Sequence, residues 1–187
     1  MKKAMIAVAL LGTMGLVGTA SAIDASQTFT WSGTVPAAPT SNGWVIAQPT
    51  GAAITNGILT FTTDAAGKGV LTGSTELRFN VFEELVATPG APDTGKPATA
   101  YDYKLISLAV NSAGLAAEQD ANGYFAIQSS NNGITEPMVK NTVSATNATQ
   151  VTGETILSVI KGAGVSNQPS AGDSVDVQAS IVVENAA

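Results

Sequence analysis

Hydrophobic and polar residues alternate in short bursts along this chain, and turn-forming residues separate the bursts. The first is Thr28-Phe29-Thr30-Trp31-Ser32-Gly33-Thr34-Val35-Pro36. Phe29, Trp31, Gly33 and Val35 hold one parity; Thr28, Thr30, Ser32 and Thr34 hold the other. A period of two predicts a strand with two unlike faces. The last burst places Val175, Val177, Ala179, Ile181 and Val183 on one parity, interleaved with Asp176, Gln178 and Ser180. A one-residue slip there would expose the whole apolar set, so its register is tightly specified.

Between these ends, strands are predicted over residues 44–47, 58–62, 70–72, 101–110, 124–127, 139–143 and 153–161. Asn42-Gly43, Asn56-Gly57, residues 64–69, 111–114 and 129–133 supply turn signals. Residues 76–86 fit a helix or a strand. Leu77, Phe79, Val81 and Leu85 share parity while Phe82 breaks it, and the middling helix formers Phe, Val and Asn favour the strand. Residues 88–99 carry Pro89, Gly90, Pro92, Gly95 and Pro97 and read as a loop. Residues 115–119 read as a helical turn, and Gly162, Gly164, Asn167, Pro169 and Gly172 mark a second loop. No repeat of fixed period occurs. Short strands divided by turns predict an all-β fold, a β-sandwich in one domain.

The opening residues have another character. Lys2 and Lys3 precede an apolar run over 4–17, broken by Gly12, Thr13 and Gly15, and Ala20-Ser21-Ala22 is a small-x-small site. This predicts a signal peptide over 1–22, cleaved after Ala22. Removing 22 of the 187 residues leaves 165, and losing Lys2 and Lys3 takes the net charge from −6 to −8. No later apolar run approaches the roughly 20 residues of a membrane-spanning helix. The acids are scattered, which reads as solubility and disfavours nucleic acid as a partner.

Candidate chemistry is sparse. The chain has no His and no Cys, so the usual triads, thiol chemistry and the commonest zinc ligands are absent. We expect no catalytic residue, metal site or cofactor, and no enzyme activity. Glu83 and Glu84 are adjacent, so in a strand they face opposite ways. Asp93 and Asp102 lack calcium-loop spacing. Asn147-Ala148-Thr149 matches a glycosylation sequon, a short motif that chance explains. Trp44, Tyr101, Tyr103 and Tyr124 fit either a sugar-stacking surface or core positions.

Taken together, the two ends resemble the structural subunits of chaperone–usher fimbriae. Phe29-Thr30-Trp31-Ser32-Gly33-Thr34-Val35 is similar to that family's N-terminal donor strand. Pro169-Ser170-Ala171-Gly172-Asp173, with the alternating strand after it, looks like its closing loop and last strand. The lack of Cys resembles the subunits of some enteric colonisation-factor fimbriae. The family's frequent C-terminal aromatic residue is missing; Glu184-Asn185-Ala186-Ala187 stands there. The resemblance implies an incomplete immunoglobulin-like β-sandwich over 37–187 with an N-terminal donor-strand extension over 23–36. Phe29, Trp31, Gly33 and Val35 would be donor positions. Val175, Val177, Ala179, Ile181 and Val183 would border the acceptor groove and meet the chaperone. Implied partners are other copies of the chain, a periplasmic chaperone, an outer-membrane usher and a host receptor, and the implied location is a surface fimbrium. Three alternatives stay open. The first strand could belong to its own domain. The chain could be a minor or adhesive subunit that binds host glycan or protein. It could also be an unrelated exported β-sandwich binding domain.

Overall fold

Where β-branched and aromatic residues collect between turn residues, this chain forms strands, and every ladder between them is antiparallel. The computed structural model describes residues 27–31, 43–112, 115–119, 122–144 and 153–187. In chain order the strands are β1 (Gln27–Trp31), β2 (Trp44–Ala47), β3 (Gly57–Thr63), β4 (Gly69–Ser74), β5 (Leu77–Glu84) and β6 (Pro92–Pro97). They continue with β7 (Asp102–Ser112), β8 (Leu115–Glu118), β9 (Phe125–Asn131), β10 (Ile134–Pro137), β11 (Thr155–Lys161) and β12 (Val175–Glu184). The protein is all-β, with no helix among the described residues.

Three sheets result. Their orders are β1-β3-β4, then β10-β9-β11-β5-β2 with β6 also on β5, then β12-β7-β8. One hydrophobic core draws on all three: Leu59 and Phe61 from β3, Phe79 and Val81 from β5, Ile127 and Val159 from β9 and β11, Tyr103 and Val110 from β7, Val177 and Ile181 from β12. Side chains bridge β4 to β11 and to the residue before β9. Val159 N donates to Ser74 Oγ at 3.0 Å, and Leu71 N donates to the Tyr124 hydroxyl at 2.7 Å.

Within residues 76–86, Leu77–Glu84 form a strand, β5, as their propensities predict, and the strand ends before Leu85. Phe82 is buried although it breaks parity, because β2 and β6 both pair with that part of β5. Three expectations are corrected. Residues 88–99 are not all loop: β6 lies within them, and its two prolines are its end residues, opposite Glu84 and Phe82 in an irregular ladder. Residues 115–119 hold no helical turn; Leu115–Glu118 pairs with β7 from Ser112 back to Ala109. An available ladder partner overrides the strong helix preference of Leu-Ala-Ala-Glu. Residues 139–143 form no strand but a turn, with Asn141 at φ 60° and Thr142 N donating to Val139 O. The strand lies just before it, as β10.

Candidate strand-exchange interface

The two terminal bursts of alternation meet in space. β1 pairs antiparallel with β3, with Gln27 opposite Phe61, Phe29 opposite Leu59 and Trp31 opposite Gly57. Phe61, Leu59 and Gly57 are the buried positions of β3, while Thr28 and Thr30 stand opposite the exposed Thr60 and Ile58. The sequence parity of β1 thus matches the burial parity of its partner. Of the expected donor positions, Phe29 and Trp31 lie in β1, and Gly33 and Val35 lie outside the described residues. So does the rest of the expected extension, and the expected leader over 1–22.

The other side of β1 runs beside β12. Among the described residues β12 has one ladder partner, β7. β1 therefore occupies the seam between the edge of β3 and the edge of β12. Val175, Val177, Ala179 and Ile181 of β12 are buried, and Val183 is half-buried against the core. Their parity survives an irregularity in the ladder. Ser180 pairs with Ser107 but Ile181 pairs with Leu105, so Ile106 is an extra residue on β7. The bulge moves the buried set of β7 from Tyr103 and Leu105 to Leu108 and Val110 and leaves β12 in step.

The closing turn fixes where β12 begins. Asp173 Oδ2 accepts from Ser170 N at 2.8 Å and from Ser112 Oγ at 3.5 Å. Gly172 takes φ 88°, a conformation that glycine adopts without penalty. Gly69 N donates to Pro169 O and Ala171 N to Gly67 O, which ties this turn to the β3–β4 turn. At the far end of β12, Thr99 N and its hydroxyl donate to Ala187 O, and Asn185 Nδ2 donates to Asp102 Oδ2. The strand bordering the seam is thus anchored at both ends.

The remaining candidates have structural roles. Tyr103 and Tyr124 are fully buried, Tyr101 is 3 % exposed, and Trp44 packs on the core, so no aromatic sugar-stacking surface forms from them. The Tyr101 hydroxyl donates to Gly153 O at 3.0 Å and contacts Thr155 Oγ1 at 2.7 Å, which accepts from Asn131 Nδ2 at 2.8 Å. Burial pushes the Tyr101 phenol up to about 12. Glu83 pairs with Lys96 at 2.6 Å, and Glu84 accepts from Gly90 N. Asp93 accepts from Gly95 N at 3.1 Å. Asn147 and its sequon lie outside the described residues. No three acidic side chains among the described residues converge on a metal position.

Sequence reasoning missed one feature, a cleft of about 370 Å³ between the β2–β3 connection and the start of β5. Arg78 on its wall bonds Glu76 at 2.7 Å and also Glu154. Those two carboxylates hold its guanidinium above the usual range, the hydrogen bond that it donates to Glu76 contributing most. The Glu76–Arg78 spacing was a readable signal, since residues two apart share a strand face; Glu154 comes from too far along the chain to be foreseen. Comparison with family profiles, characterised proteins and solved structures finds no match for this chain.

Proposed function

We propose that this chain is the structural subunit of a surface fimbrium and polymerises by exchanging its N-terminal strand. One observation supports this above the others: β1 fills a seam between the edges of β3 and β12, with Phe29 and Trp31 in register with the buried positions of β3. In a single chain the strand lies in its own seam. In the fibre, the same seam takes the strand of the next copy. Strand addition supplies main-chain hydrogen bonds while alternate side chains supply specificity. Burying Phe29, Trp31 and Val35 contributes roughly 1.5–3 kcal/mol each before ordering costs. The eleven residues 32–42 between β1 and the next described segment can span at most about 36–40 Å.

In this reading residues 1–22 are an export signal, and 37–187 form an incomplete immunoglobulin-like sandwich completed in trans. A periplasmic chaperone holds the seam until an outer-membrane usher passes the subunit on. The protein is not an enzyme and needs no cofactor; a host receptor meets the assembled surface. Electron microscopy of cells with and without this chain tests the fibre. A heat-and-detergent ladder of surface material tests the joint. Trp31→Asp, which would bury an unpaired charge, and Gly33→Leu should both abolish the ladder. An unchanged ladder in both variants rules out β1 as the joint.

A further inference from the structure

The cleft beside Arg78 begins next to the end of the β1–β3 ladder, where Asn56 precedes Gly57, the partner of Trp31, but its lining is of another kind. Gln48 and Pro49 enter from the β2–β3 connection, followed by Ile54 and Asn56; Leu77 and Arg78 enter from β5. Ile54 and Leu77 are half-buried against the core and give a small apolar floor. Thr55 and Asn56 are exposed on the rim, and no hydrogen bond among the described residues uses the Asn56 amide. Arg78 spends one guanidinium nitrogen on Glu76 Oε2 and the other on Glu154 Oε1. That pins both carboxylates and leaves a second oxygen on each without a bond among the described residues.

We propose that this cleft binds a neutral saccharide of one or two rings. Fixed carboxylate oxygens accept from neighbouring sugar hydroxyls, and charge-assisted bonds of this kind are the strong ones. The Asn56 amide can donate and accept, as a hydroxyl or an acetamido group requires. The floor of Ile54, Leu77 and Pro49 suits the C–H face of a ring. A volume of about 370 Å³ is at the small end of ligand pockets, which favours a mono- or disaccharide. Two carboxylates face a single guanidinium in a chain of net charge −6, which repels uronates, sialylated sugars and phosphates. Pinning by Arg78 also removes the ordering cost that free surface side chains would carry on binding. The proposal is independent of strand exchange.

The test is an NMR titration of the folded chain with lactose and with chitobiose, and with a glucuronate-containing disaccharide as the anionic probe. Saturable shifts confined to Ile54, Asn56, Leu77, Arg78 and Glu154 with a neutral probe support the assignment. Glu154→Gln and Asn56→Ala should each weaken binding roughly tenfold, the loss of about one such hydrogen bond. Unchanged stability of both variants in urea separates lost contacts from lost fold. Absence of shifts with both neutral probes, preference for the anionic probe, or full binding by both variants overturns the proposal.

Discussion

Phe29 stands opposite Leu59 in the antiparallel ladder between β1 and β3, and Leu59 has no exposed surface. This pairing joins two stretches read separately in the sequence. It brings a short strand near the N-terminus onto the buried parity of an interior strand. The same seam holds β12 on its other side, so the three elements share one stretch of core.

The closing turn should matter to stability out of proportion to its size. Asp173→Ala removes the acceptor of Ser170 N and Ser112 Oγ. A loss of about 1–2 kcal/mol is expected in urea denaturation. Asp173→Asn keeps an acceptor oxygen and should lose less. Equal losses in the two variants would mean that the carboxylate does not hold the turn.

Two glycines should respond in opposite ways. A Cβ at Gly164 would stand 1.8 Å from Asn122 O, where two backbone segments cross. Gly164→Ala should cost about 1–3 kcal/mol or more. A Cβ at Gly73 meets nothing within 4 Å, and no positive φ opposes it. Gly73→Ala should be neutral or slightly stabilising, since it restricts the unfolded chain. Thermal unfolding of the pair checks the contrast.

Tyr101 predicts an alkaline limit. Its folded pKa of about 12 lies above the ordinary 10.0, so the folded state keeps a proton that the unfolded state gives up. The stability from this group is complete below about pH 10 and drains away as pH rises toward about 12. Tyr101→Phe should flatten this decline while lowering stability at neutral pH, because Gly153 O and Thr155 Oγ1 lose a partner. Urea midpoints measured across that range give the answer. An undiminished decline in Tyr101→Phe would assign it elsewhere.

Strands that bury apolar residues on one parity were legible in the sequence. β3 and β12 show the expected alternation almost residue by residue. Legibility failed where polar residues are buried. Ser129 and Asn131 continue the buried parity of β9 after Ile127, with Ser144 and Thr155 as their partners, so hydropathy ended the strand too early. The Asn132-Gly133 turn was read as a turn but not as a hairpin. Its two positive φ angles, 52° and 76°, suit the two-residue connection into β10. β6 and β8 stayed hidden because their strand state comes from the neighbours β5 and β7, not from local preference. The terminal strands of the seam were readable singly; that they converge is a property of the folded chain. The cleft joins residues from three separate stretches and left only Glu76 and Arg78 as a local trace.

The central claim is that β1 of one copy takes the place on β3 that the single chain fills for itself. Thr30 and Ile58 are partners in that ladder, Ile58 is 45 % exposed, and the chain has no Cys of its own. Antiparallel partners stand about 4.5–5.5 Å apart at Cα, within reach of a disulfide. The direct measurement is a non-reducing denaturing gel of surface material carrying Thr30→Cys and Ile58→Cys together. Exchange predicts a covalent ladder of whole-subunit steps that collapses to one band with reductant. A single band of internally bridged monomer, with no ladder, would contradict exchange and return β1 to its own domain.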